Sequence, residues 1–143
     1  MHKNAMALFD LSDRVAIVTG GAKGIGRGIA ENLALVGATV IVADRDEAEN
    51  SACAKAIVTA GGRALSITCD MANENDIARL VESAISTFGQ LDIVVNNAAI
   101  YPMSPIADMT TELWDEVLGI NLRGVFLLPR AAIPSLKQSG ANG

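Results

Sequence analysis

Apolar and polar positions along this chain alternate between two periods. Val15 to Thr19, Thr39 to Ala43, Ala64 to Cys69 and Leu91 to Val95 are short, mostly apolar runs. That is the pattern of strands covered on both faces, as in a parallel sheet. Between them the spacing turns helical. Ile25, Ile29, Leu33 and Val36 form one apolar stripe. Ile77, Leu80, Val81, Ala84, Ile85 and Phe88 form a cleaner one, opened by an Asn73 cap and an acidic first turn. Gly37, the Gly61–Gly62 pair and Gly89 fall where these helices should stop. The Ala-rich stretch from Glu47 to Ala60 has the weakest helical pattern of the set.

A last helix is predicted from Thr110 to Lys137, with Trp114, Val117, Leu118, Leu122 and Val125 on one face. Pro129 inside it and Pro134 near its end each remove a backbone donor, which predicts a kink or a break. The chain then closes in turn residues, "SGANG". Strand and helix in alternation, with short connections, build right-handed βαβ units and a parallel sheet, an α/β fold. No internal boundary interrupts the pattern, so residues 1–143 read as one domain.

Composition narrows the function. The length suits a single domain with a real core, half the residues are hydrophobic, and the formal net charge is −5. An acidic chain does not suit a nucleic-acid partner, which rewards clustered Lys and Arg. Apolar runs such as "ATVIVA" are too short to cross a bilayer, and "MHKNAMALFD" lacks the apolar stretch of a signal peptide. Cys53 and Cys69 have no CxxC spacing, and His2 is the only histidine, so no metal site is predicted. The two cysteines read as reduced, buried thiols of a cytoplasmic protein.

The candidate chemistry lies where the first strand hands over to the first helix. Gly20, Gly21, Gly24 and Gly26 fall within seven residues. Glycine there permits positive φ and close approach of a ligand to the backbone. The free N–H groups and dipole of the following helix favour an anion such as a pyrophosphate. Glycines placed for a tight turn alone would need one such residue, not four. A Walker loop is absent, because Lys23 precedes Gly24 and no Gly-Lys-Ser/Thr follows; GxGxxG is not met either, because position 22 is alanine. Asp44 closes the second strand about 20 residues beyond the glycines, where a ribose-binding carboxylate is expected. Its alternative reading is a solvated charge in "DRDEAE".

Taken together these motifs resemble the short-chain dehydrogenase/reductase family from Arg14 onward. "TGGAKGIG" at 19–26 is similar to that family's TGxxxGIG cofactor loop, and "NNAA" at 96–99 to its NNAG. The resemblance implies a Rossmann-like parallel sheet of order 3-2-1-4, an incomplete doubly wound fold ending before a fifth strand. It also implies an NAD cofactor, with NADP less favoured, held by Gly20, Lys23, Gly24, Ile25, Gly26, Asp44, Arg45, Asp70, Met71, Asn96 and Ala98. Asp70 would face the adenine with the Met71 backbone beside it. Asn121, in "LGINLRGVF", matches the asparagine of the family's catalytic tetrad. Two departures stand out. Ala99 replaces a glycine, a change that would tighten the loop, and Lys23 and Arg45 are basic where NADP-using relatives carry such residues.

In an open α/β sheet a ligand lies beyond the carboxyl ends of the strands at the switch in strand order. With order 3-2-1-4 that switch falls between Thr19 and Val95, so the glycine loop and "NNAA" should flank one crevice. Asn121 falls among apolar helix positions, and a buried amide left unpaired costs about 1–3 kcal/mol. It is either satisfied by neighbouring backbone or holds a water in a proton relay, the role the resemblance implies.

The family's serine and its Tyr-x-x-x-Lys do not occur; Tyr101, the only tyrosine, is followed four residues on by Pro105. The chain is therefore expected to be the N-terminal part of an alcohol–carbonyl oxidoreductase and inactive alone, with a small-molecule substrate, no nucleic acid or membrane partner, and a homo-oligomeric state. A naturally short nucleotide-binding or interaction module is the alternative; a methyltransferase would leave "NNAA" and Asn121 unexplained. Tyr101 and Met103 belong either to a substrate pocket or to a surface loop.

Overall fold

The computed structural model describes residues 8–139. His2, most of the N-terminal segment read for a signal peptide, and the closing turn residues 140–143 lie outside the described residues. The elements run in chain order as β1 (Val15–Thr19), α1 (Gly24–Leu35), β2 (Thr39–Asp44), α2 (Glu47–Thr59), β3 (Arg63–Thr68), α3 (Glu74–Phe88) and β4 (Ile93–Val95). Then come α4 (Thr111–Leu118), a π-helical segment (Gly119–Gly124) and α5 (Val125–Gln138), continuous with one another.

The four strands form one parallel sheet in the order β3-β2-β1-β4. The register is fixed by pairs such as Ile17↔Ile41 and Ile17↔Val94. The two-residue period of the strands divides the core between two faces. Val18, Val40 and Val42 pack with Ala30, Cys53 and Ile57 beneath α1 and α2. Ile17, Ile41 and Ala43 pack with Leu80, Ala84, Leu127 and Leu128 beneath α3 and α5. Helices start and stop where the side chains dictate. Asn73 accepts from the Asn75 and Asp76 N–H groups to open α3, and Gly89, at φ 77°, closes it.

Five expectations need correction. Only β1 and β2 are covered on both faces; β3 is an edge strand with exposed ends, and β4 is shorter than predicted and only half-buried. The stripe Ile25–Ile29–Leu33–Val36 is only half of the core face of α1: Ile29 and Leu33 pack against the core half-buried, while Ile25, 80% exposed, and Val36 do not. The deepest contacts are made by Gly26, Ala30 and Ala34. Small residues win those positions because they let the helix approach the sheet closely. In the last helix the face is displaced rather than made small: Trp114, Leu118, Leu122 and Val125 face outward, while Ile120, Leu127, Leu128 and Ala132 are buried.

Neither proline breaks that helix. Pro129 and Pro134 both lie inside α5, and the irregularity is the π-helical segment before it. A mid-helix proline costs about 3 kcal/mol or more, and burial of Leu127, Leu128 and Ala132 against the sheet offsets it. Finally, Thr111–Gln138 is 28 residues long with a mean hydropathy of 1.2 in its best window, long and apolar enough to span a bilayer. It packs against the sheet, and its Arg123 and Arg130 both pair with Glu74 at the start of α3.

Candidate functional site

The turn from β1 into α1 is built so that two polypeptide segments touch. Gly20 has φ +60°, and a Cβ there would stand 2.9 Å from the Ala98 Cα. A Cβ on Gly26 would lie 2.1 Å from the Gly20 carbonyl oxygen and 2.4 Å from Asn97 Nδ2. The first turn of α1 is thus folded directly onto the glycine loop, and only hydrogen fits between them.

Side chains lock this turn to the loop after β4. Asn97 Nδ2 donates to the Thr19 carbonyl at 2.9 Å and to the Gly20 carbonyl at 3.1 Å. The buried Thr19 hydroxyl accepts from the Asn97 and Ala98 N–H groups, each at 3.1 Å, and donates to the Val95 carbonyl at 3.2 Å. Asn97 and Thr19 were not among the sequence candidates. A threonine ending a fully apolar strand, opposite an Asn-Asn pair, was the available signal.

The helix start itself is left open. α2, α3 and α4 are capped by the side chains of Asp46, Asn73 and Thr110, but α1 begins at Lys23 with no side-chain cap and no acid in its first turn. Uncapped N–H groups and a positive dipole end, with no carboxylate to neutralise them, favour an anion.

Beside this start lies a crevice of about 150 Å³ at the carboxyl ends of the strands, lined among others by Gly20, Asp44, Arg45, Asp70, Met71 and Ala98. Six sequence candidates therefore meet in one place. Asp44 is tethered at both oxygens: Oδ2 accepts from the Ala22 N–H at 3.3 Å and Oδ1 from the Asp46 N–H at 3.1 Å. Asp70 Oδ1 accepts from the Ala72 N–H at 2.9 Å, and the Met71 residue beside it is buried. Gly24, with φ +53°, and the exposed Ile25 stand in the first turn of α1. Lys23 is turned away toward α2, onto Asp46.

Asn96 is exposed, and it is its neighbour Asn97 that bonds to the glycine loop. Ala99 lines the crevice without backbone strain, since Asp13 is the only non-glycine residue with positive φ among the described residues. Tyr101 and Met103 are exposed in the loop after β4 and do not line this crevice.

Asn121 sits in the π-helical segment, a geometry that gathers at functional sites. Its Oδ1 accepts from the Ile100 N–H at 2.9 Å and its Nδ2 donates to the Ile100 carbonyl at 2.7 Å. The amide is satisfied by backbone, and in doing so it clamps the loop that forms the crevice wall. Gly124 closes the same segment, where a Cβ would come 2.7 Å from the Met71 carbonyl oxygen. Asn121→Ala should cost about 1–3 kcal/mol, because it strands both Ile100 groups in a half-buried setting. Faster amide exchange at Ile100 and a lower urea midpoint are the expected readouts; unchanged exchange would show that the clamp is dispensable.

The cysteines are free and buried. Burial, reinforced by the nearby Asp76 and Asp70, pushes the Cys69 thiol up to about 12, and burial raises Cys53 as well. Both are held in the protonated, less reactive form at neutral pH.

The family profile described as short chain dehydrogenase matches residues 14–143. A short chain dehydrogenase/reductase of Aspergillus oryzae is 39% identical over 137 residues, covering 94% of this chain and 52% of its own length. A dehydrogenase/reductase structure from Sinorhizobium meliloti superposes with a TM-score of 0.91 at 35% identity, covering 94% of this chain and 54% of that one. A metagenomic short-chain oxidoreductase solved with NADP gives a TM-score of 0.86 at 36% identity, covering 90% of this chain and 59% of that one. The chain spans about half the length of the curated relatives it matches.

Proposed function

The chain belongs to the short chain dehydrogenase family, and from that premise we propose that it is the N-terminal, cofactor-binding part of an NAD-dependent oxidoreductase interconverting an alcohol and a carbonyl. The observation that carries this reading is the meeting of Gly20, Asp44, Asp70 and Ala98 in one crevice beside the uncapped start of α1. The residues fit a dinucleotide: α1 starts without a side-chain cap or an acid in its first turn, and Gly26 lets that start pack directly on the glycine loop.

In this reading the α1 N–H groups bind the pyrophosphate and Asp44 accepts from the adenosine ribose hydroxyls. Asp70 and the Met71 backbone border the adenine. The loop carrying Ala98 borders the nicotinamide end, and Asn121 keeps that loop in place through Ile100. The bound nicotinamide supplies the hydride acceptor or donor. A small-molecule alcohol or carbonyl in a cytoplasmic setting is the matching substrate, with no role for nucleic acid or membrane. Trp114, Leu118, Leu122 and Phe126, exposed together on one helix face, are the surface through which copies would assemble into a homo-oligomer.

The metagenomic relative was solved with NADP, so both cofactors belong in the test. NAD should bind the 143-residue chain more tightly than NADP in a calorimetric titration. Asp44→Ala should weaken NAD roughly tenfold, the size of a lost hydrogen bond to a charged group. It should weaken NADP less, because the repulsion of the phosphate goes with the carboxylate. A chain that binds neither cofactor would overturn the reading, and one that prefers NADP would overturn the role of Asp44.

A further inference from the structure

Lys23 is the basic residue nearest the glycine loop, yet its ammonium does not point at the crevice. It lies 3.0 Å from Asp46 Oδ2 and 3.8 Å from Glu49 Oε1. We propose that Asp46 is a cofactor-discriminating residue, one that holds Lys23 against the start of α2 and so withholds it from the 2′-phosphate that distinguishes NADP from NAD. The proposal rests on the reading that the crevice takes a nicotinamide dinucleotide with its ribose at Asp44.

Asp46 is fixed for this task from both sides. Its Oδ1 accepts from the Glu49 N–H at 3.2 Å as the cap of α2, and its own N–H donates to Asp44 Oδ1 at 3.1 Å. That leaves Oδ2 directed at Lys23. Asp44 in turn reaches back to the Ala22 N–H, next to Lys23 in sequence, so the turns after β1 and β2 are joined into one hydrogen-bonded unit. Two carboxylates, Asp46 and Glu49, pair with the one lysine, and Asp44 acts on it at longer range. Arg45 lines the crevice and makes no ion pair among the described residues, so it alone would face an incoming phosphate. A 2′-phosphate would therefore meet a surplus of negative charge although two basic residues are close in sequence. Asp44 disfavours it directly, and Asp46 disfavours it by occupying its partner.

Asp46→Asn separates these effects from folding, because asparagine caps a helix as well as aspartate does. NAD and NADP are titrated calorimetrically against the unsubstituted chain, Asp46→Asn, Lys23→Ala and the double variant. Asp46→Asn should gain about tenfold in NADP affinity, the scale of one charge-assisted hydrogen bond to phosphate, with NAD nearly unchanged. Adding Lys23→Ala should remove most of that gain, whereas the same change in the unsubstituted chain should cost NADP binding far less.

An NADP affinity that Asp46→Asn leaves unmoved would overturn the proposal. So would a gain that survives the loss of Lys23, which would assign the effect to Asp46 repulsion alone. The Lys23 Nζ chemical shift, followed by NMR without cofactor, should move on Asp46→Asn; an unmoved shift would show that the pair does not form. If the unsubstituted chain binds neither cofactor, the dinucleotide reading fails and this proposal with it. If it binds NAD but fails the Lys23 cycle, only the proposal fails.

Discussion

Gly26→Ala is expected to abolish dinucleotide binding and to destabilise the chain, whereas Gly28→Ala, two residues along the same helix, is expected to stabilise it. The added Cβ at position 26 would lie 2.1 Å from the Gly20 carbonyl oxygen and 2.8 Å from its carbonyl carbon. Backbone cannot rotate out of the way as a side chain can, so α1 must lift off the glycine loop. Overpacking of this kind costs about 1–3 kcal/mol. The displacement should also break the Asn97 bonds that hold the loop, and with them the geometry proposed above for holding a pyrophosphate. At position 28 nothing lies within 4 Å of the added atom. There the change only removes the cost of glycine inside a helix, about 0.5–1 kcal/mol. Urea unfolding and NAD titration of both variants are the check. A Gly26→Ala chain with the original midpoint and affinity would show that the contact is not needed.

The same contact shows what the sequence makes legible and what it hides. The first three strands, the parallel sheet, the helix stops and the Asn73 cap were readable, because each depends on local chemistry: apolar period, glycine near a helix end, a side-chain oxygen at a helix start; the strand order came from the family resemblance instead. Six of the proposed cofactor residues meet in one crevice for a similar reason, since the ends of parallel strands must converge at the switch in strand order.

Helix faces are misread for two reasons: close packing outranks hydrophobicity in α1, and in the last helix the π-helical segment shifts which large residues face the sheet. Ile25 has the size of a core residue, but α1 meets the sheet most closely through Gly26, Ala30 and Ala34, with Ile29 and Leu33 beside them; Leu122 stays outside because Leu127 and Leu128 take the core face of its helix. The large residues left outside are available to other surfaces. Long-range polar pairs were hidden for a different reason. Asn97 with Thr19, Asn121 with Ile100 and Lys23 with Asp46 each join residues more than 20 positions apart, and nothing in local spacing announces them.

Asp92 is the largest such omission, and replacing it should be the most costly single change away from the site. It stands at the opposite end of the sheet, where β1 and β4 begin, and is only 5% exposed. Its Oδ2 accepts from the Val15 N–H at 2.8 Å and from Gln90 Nε2 at 2.9 Å, and its Oδ1 from Arg14 at 3.2 Å. Its own N–H donates to the Val15 carbonyl at 2.9 Å. Asp92→Ala would leave the buried Val15 N–H without its acceptor and Arg14 without its counter-charge. Leaving a buried hydrogen-bonding group unpaired costs about 1–3 kcal/mol, and the partly exposed Arg14 adds less; the sum is still a large share of the roughly 5–15 kcal/mol that holds a typical domain together.

The pH dependence follows from the same contacts. Burial works against the Asp92 carboxylate, but the hydrogen bonds, led by the Val15 N–H, outweigh it and hold its carboxyl below the usual range. A lowered folded-state value means that the stabilisation is complete above the unfolded value of about 3.9 and is lost as pH falls through the folded one. Asp92→Asn keeps an acceptor for Val15 but removes the charge, so it should cost less than alanine at neutral pH. The gap between it and the unsubstituted chain should shrink as the pH is lowered below about 4. Urea midpoints measured for both chains from neutral to acid pH test this. A gap that stays constant, or widens in acid, would mean that the Asp92 charge contributes nothing to holding β1 against β4.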